Sequence, residues 1–266
     1  MTNKININLN QIKEISLNGI RRTSVFLGFG VNAARSSENK EFQLTDETPF
    51  RFIPEDLDKD KIDHFKEHFE HWIVCCGLRE LIETFSVFLC SIYKVCLLTW
   101  IHKNRGQIKS PEKSLKSFEW KGVEKQLKSL RHKFSVETPK ESYIRTINQI
   151  RNCLTHRRGI VGNEDLKGNR SLKTIWWSLD PFIEIPSGEI ISMAPPYPKE
   201  GIFLKDGGKF SVKVVERERE FKKGEVIRLS PNDLSEIIFL MTMVTDEISL
   251  STFHFLKKSG IDIKET

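Results

Sequence analysis

Between Glu55 and Lys103 apolar residues recur at three- and four-residue steps. Ile62, Phe65, Phe69, Trp72, Ile73 and Cys76 come first, followed by Ile82, Phe85, Leu89, Ile92 and Cys96. This is the period of an α-helix. Acids at Glu55 and Asp56, just after Pro54, sit where the helix dipole favours them. The spacing predicts one very long helix, or two nearly collinear ones, over 55–103. Gly77 marks a candidate kink, since glycine inside a helix costs about 1 kcal/mol relative to alanine. The most apolar part, FSVFLCSIYKVCLLTWI at 85–101, is marginally long for a membrane span and carries Lys94 in its middle. A buried helix of a soluble bundle suits it better.

Three more helices are legible. One covers about 112–134, with Val123, Leu127, Leu130 and Phe134 on one face. The next covers about 139–158. Thr138 is its expected N-cap, Pro139 its first residue, Glu141 the partner in a capping box, and Gly159 its stop. The last covers about 230–259, opening at Ser230-Pro231 and closing at Lys257, Lys258 and Gly260. Between the third and fourth, residues 160–229 read as a small antiparallel β insert: KTIWWSL, FIEI, EIISM, KFSVKVVE and EVIRLS, separated by PSG, DGG and KKG turns. Residues 1–53, polar text around SVFLGFG, form an N-terminal segment with no assigned structure. The expected fold class is mainly α (α+β): a helical domain at 54–266, four helices in a bundle with the β insert.

Composition narrows the function. Across 266 residues, 38% are hydrophobic and 29% charged, as in a globular chain rather than a disordered one. A net charge of +6 favours polyanionic partners. The five cysteines, Cys75, Cys76, Cys90, Cys96 and Cys153, form no zinc-like CxxC pairing and read as buried free thiols of a reducing compartment. MTNKININLN has no apolar stretch behind a basic start, so no signal peptide is read and a cytoplasmic location is expected. Without a Gly-rich phosphate loop, a GxGxxG or a nucleophile elbow, ATP and NAD chemistry have no support, and no cofactor is expected.

The chemistry concentrates in QIRNCLTHRRGIVG, 149–162, at the end of the third helix. On a helical wheel Tyr143, Ile147, Ile150 and Leu154 form the core stripe. Arg151 and Thr155 flank it, with Asn152 and His156 beyond, as one polar ribbon of i,i+4 pairs. Cutting RNA without a metal needs a base for the ribose 2′-OH, an acid for the leaving 5′-oxygen and a cation for the charge building on phosphorus. Histidine titrates near neutrality and suits the proton transfers. Arginine forks onto phosphate oxygens, and asparagine can orient. Arg157 and Arg158 would hold flanking phosphates, making RNA binding salt-sensitive. One helix supplies one histidine, so a symmetric dimer would supply the second.

Arg151-Asn152-x-x-x-His156, followed by basic residues and a glycine stop on the third helix of a four-helix unit, resembles the R-x4-6-H signature of the HEPN superfamily (higher eukaryote and prokaryote nucleotide-binding domains). The resemblance covers roughly 55–158 and 230–259. It implies a metal-independent endoribonuclease in which Arg151 and His156 are catalytic and Asn152 occupies the polar position. The site would be composite, across a homodimer interface. A role as a toxin or antiviral defence effector, with an antitoxin or regulatory protein as partner, is a family habit. The alternative it leaves is a non-catalytic HEPN-like RNA-binding or dimerisation scaffold.

Other constellations read more blandly. His64, His68, His71 and Cys75 lie on one helical stripe too long for a single ion, so a polar interface stripe outweighs a zinc site. The basic stretch 103–133 reads as a solvated face, with an RNA-backbone rail as its alternative. Trp176-Trp177 reads as sheet packing, with base stacking as its alternative. Arg79, Glu80 and Glu83 can assist the motif only where the long helix faces it.

Overall fold

The computed structural model describes residues 7–36, 58–104, 110–193, 201 and 203–261. Its centre is α2 (Lys59–Lys103), an unbroken helix of 45 residues. Asp58 caps it, accepting the Lys61 N–H at 2.9 Å; the expected start at 55–57 lies outside the described residues. Beyond Val74 the helix is apolar on most sides, and Leu78, Ile82, Phe88, Leu89 and Cys96 are wholly inaccessible. A helix of that kind must be covered nearly all round. The cover comes from α1 (Leu9–Ser36), α3 (Pro111–Glu119), α4 (Val123–Phe134), α5 (Glu141–His156) and α7 (Pro231–Lys258). By length and composition α2 is the one described helix able to cross a membrane, yet 56% of its most apolar window is buried inside the protein.

Gly77 does not interrupt α2. A Cβ there would stand 2.8 Å from Leu234 Cδ2 of α7 and 3.1 Å from Thr23 Cγ2 of α1. The glycine lets three helices meet rather than bending one. α1 was not legible in the sequence, and its buried face shows why: Ser16, Gly19, Ile20, Thr23, Leu27, Val31 and Ala34 keep a helical period but are largely small or hydroxylated. Gly19 packs on Thr84 and Gly30 on Ile73. Ser16 and Thr245 share a hydrogen bond of 2.8 Å between buried hydroxyls, and Arg35 forks onto Glu70 at 2.8 and 2.9 Å.

Two expected boundaries shift. The helix predicted at 112–134 is split by Trp120-Lys121-Gly122 into α3 and α4. The capping box at Thr138 is not formed. Thr138 gives its hydroxyl to Glu247 and accepts the Lys140 N–H at 3.1 Å, while Glu141 is drawn to Arg131 at 2.7 Å. The helix therefore starts at Glu141, after a turn at 139–140. At α7 the expected start holds, with a capping box in which Ser230 Oγ accepts the Asp233 N–H and Asp233 accepts the Ser230 N–H.

After α5 come a single-turn α6 (Asn163–Leu166) and a three-stranded antiparallel sheet, β1 (Ser171–Glu184), β2 (Ile190–Ser192) and β3 (Lys209–Lys222), in the order β2-β1-β3. KTIWWSL and FIEI are one strand that passes through Pro181. The Pro181 carbonyl accepts Met193 N–H, so its donorless nitrogen faces the β2 side and the β1–β3 ladder loses nothing. The stretch EVIRLS makes only an isolated bridge, Ile160 to Val226. Trp176 is fully buried and donates Nε1–H to Glu236 at 2.8 Å; Trp177 stacks on Phe239 of α7. On its other side β1 meets α5, where Thr146 Oγ1 accepts the Ile175 N–H at 3.1 Å.

Among the described residues there are seven helices rather than four, and the protein is mainly helical with a small antiparallel sheet. All five cysteines are free. Burial pushes the thiols of Cys75 and Cys153 up to about 11 and raises that of Cys96, so none of the three is a thiolate at neutral pH.

The two glycine environments give opposite expectations. Gly77→Val should lower stability by about 1–3 kcal/mol through overpacking against Leu234 and Thr23. Gly28→Ala, where a Cβ meets nothing within 4 Å, should raise it by about 0.5–1 kcal/mol through helix propensity. Urea denaturation of both variants checks this.

Candidate active site

The core face of α5 is formed by Ile144, Ile147, Asn148, Ile150, Cys153 and Leu154. It is wider than the expected stripe, and it turns Arg151 toward α2 rather than toward solvent. The Arg151 side chain is only 21% exposed. Its Nη2 donates to Glu83 Oε1 of α2 at 3.2 Å and its Nη1 to Asn152 Oδ1 at 3.1 Å. Its Nε–H is buried with no acceptor among the described residues. Glu83, at 58%, lies at the solvent end of this pair. The structure thus brings Glu83, Arg151 and Asn152 together. Glu80 is turned the other way, pairing with Arg22 of α1, and Arg79 bonds back to the Cys75 carbonyl.

His156 is the last residue of α5 and is exposed. At ~100° per residue it lies about 140° around the axis from Arg151. Among the described residues no hydrogen bond or ion pair joins its imidazole to Arg151, Asn152 or any other side chain. Thr155, the other ribbon residue, is exposed and donates to the Arg151 carbonyl at 2.9 Å.

Arg157 and Arg158 part company. Arg157 forks onto Asp165 of α6, with Nε donating to Oδ2 at 2.7 Å and Nη2 to Oδ1. Asp165 is 2% exposed and also accepts the Gly162 N–H. A guanidinium held this way is poorly placed for a phosphate; it fastens the loop that follows the motif. Nothing in the sequence singled out Asp165, although its position three residues after Gly162 is that of a helix-start acid. Arg158 is exposed, adopts φ 54° and has no ion pair among the described residues. A left-handed backbone costs a non-glycine residue about 1–2 kcal/mol. Gly159 follows at φ 77°, and both Arg157 and Gly159 donate to the Cys153 carbonyl, closing the helix. The 159–161 segment is then clamped to 224–227 by three backbone hydrogen bonds, Val161 to Glu225, Gly224 to Val161 and Ile227 to Gly159.

The histidines of the α2 stripe contact one another and a cysteine. His64 and His68 meet edge to face at 4.3 Å, and His71 Nε2 lies 3.5 Å from Cys75 Sγ. Among the described residues no group of three or more His, Cys, Asp or Glu is placed to hold a metal ion. In the lysine-rich stretch, 105–109 lie outside the described residues. Lys121 and Lys133 are engaged with Ser129 and Tyr93, while Lys128 and Arg131 face α5. Comparison with protein-family models, with curated proteins and with solved structures finds no match to this chain.

Burial alone would raise the pKa of Asp165, but the Arg157 guanidinium and the Gly162 N–H outweigh it and hold the carboxyl below its ordinary 3.8. The stabilisation is complete above that value and fades as pH falls through the lower, folded one. Asp165→Asn should therefore cost about 1–3 kcal/mol at pH 7. The gap to the parent should narrow progressively as the pH of the melts is taken below 3.8.

Proposed function

We propose that the protein is a metal-independent endoribonuclease of the HEPN type, with a helical bundle of that family at its core, acting as a homodimer. The observation that carries it is the Arg151 arrangement: a mostly buried guanidinium, oriented by Asn152 and Glu83, at the end of a helix whose last residue is an exposed histidine. A positioned cation and an exposed imidazole, brought to one phosphate by two copies of the chain, are the minimum equipment for this reaction.

In the proposed reaction one His156 takes the proton from the ribose 2′-oxygen as that oxygen attacks phosphorus. The P–O5′ bond breaks, and a second imidazole, the symmetry-related His156, protonates the leaving 5′-oxygen. Arg151 neutralises the charge on the non-bridging oxygens, and Asn152 keeps its guanidinium in plane with them. The products are a 2′,3′-cyclic phosphate and a 5′-hydroxyl. A second reading, a non-catalytic scaffold for RNA, is favoured by one observation: among the described residues of a single chain the His156 imidazole has no partner.

His156→Ala should lower cleavage of RNA in EDTA by about 10²–10⁴-fold and Arg151→Ala by about 10²–10³-fold, with the dimer intact by light scattering. A wild-type chain that leaves RNA whole in EDTA, or variants that cut at the parental rate, would establish the scaffold instead.

A further inference from the structure

α4 and α5 diverge at their solvent faces and leave a cleft of about 310 Å³ between them, lined by Glu124, Lys128 and Arg131 of one helix and Glu141, Ser142 and Arg145 of the other. We propose that this cleft is a subsite for an unpaired nucleotide several positions away from the scissile phosphate, so that substrate RNA lies as a single strand along the solvent face of α5. The inference rests on the ribonuclease assignment and extends it to the substrate's path.

The lining is suited to a nucleotide rather than to a bare anion. Arg131 is already matched by Glu141 at 2.7 Å, which joins the two helices across the cleft. Lys128 and Arg145 are exposed and have no ion pair among the described residues. They are the two cations left for phosphate, one as a point charge and one as a planar fork. Glu124 and Ser142 supply acceptors, the chemistry that ribose hydroxyls and base amino groups require. A recessed cleft of this size receives a base only from a strand that is not paired.

The cleft and the motif lie on one track. Arg145, Gln149, Asn152 and His156 follow one another at steps of four, three and four along α5, a single face with no apolar member. At ~1.5 Å per residue Arg145 and His156 are about 16 Å apart along the axis. At ~3.4 Å per phosphate in a stacked strand that is about five nucleotides, and fewer in a splayed one. Gln149 and Asn152 line the interval with amides, and Arg158 stands just beyond His156.

The test uses the full chain carrying His156→Ala, which keeps the RNA whole, and fluorescence anisotropy with a labelled single-stranded oligouridylate. Adding Lys128→Ala and Arg145→Ala should weaken binding about tenfold and flatten the slope of log K against log salt by about 1.4, two phosphate contacts on a single strand. Lys125→Ala, exposed on α4 outside the cleft, should change neither. An unchanged affinity and slope in the double variant would overturn the subsite, as would a duplex of the same length that binds equally well with the same dependence on Lys128 and Arg145. In the chain with His156 intact the double variant should lose cleavage through KM. The two ideas fail separately: active wild type with unaltered binding by the double variant sinks only the cleft, whereas inactive wild type with weakened binding sinks only the nuclease.

Discussion

Burying α2 is the requirement on which the rest of the molecule depends. Its central turns are apolar around most of the circumference, and at ~25 cal/mol per Å² of apolar surface no single neighbour could satisfy them. Five helices converge on it. Glycines and small hydroxyl residues on α1 allow close approach on one side, α7 closes a second, and α3, α4 and α5 close the third. The position of Arg151 is a by-product of that enclosure. Once Ile147, Ile150 and Leu154 are committed to the core, Arg151 lies at its margin, within reach of Glu83 on the enclosed helix.

The sequence was legible where period and punctuation agreed. α7 combined a serine cap, a proline, an acid three residues on and a glycine stop, and it runs as read. α2 declared itself by its apolar period. α1 stayed hidden because small and hydroxylated residues share its buried face with Ile20, Leu27 and Val31, so its helical period carried a diluted hydrophobic signal. At Thr138 the local pattern was correct for a cap but lost to tertiary partners. Glu247 took the hydroxyl and Arg131 took Glu141.

The candidate site was legible only in part, for the same reason. Spacing along one helix placed Arg151, Asn152 and His156 relative to one another, and the Arg151–Asn152 bond follows from it. It could not show that Glu83 rather than Glu80 turns toward the motif, since that depends on which face of α2 lies against α1. Nor could it separate Arg157 from Arg158. Adjacent arginines look alike in text, yet one is claimed by a buried carboxylate from α6 and the other has no ion pair among the described residues.

Arg151 is a costly residue to keep at the edge of a core. A buried donor without an acceptor costs about 1–3 kcal/mol, and its Nε–H is in that position. A single exposed carboxylate partner contributes little, about 0–1 kcal/mol for a pair in contact with water. An aliphatic side chain would pack there with neither term. Stability therefore does not account for this arginine, whereas the anion recognition of the proposed reaction would. A phosphate oxygen displacing exposed Glu83 would meet a guanidinium whose carbon stem is already immobilised and whose plane is already set by Asn152. The same enclosure directs His156 away from Arg151 around the helix, so one chain presents the cation and the proton carrier on different faces. Chemistry that needs them on opposite sides of one phosphorus then calls for a second ribbon, contributed by a second copy.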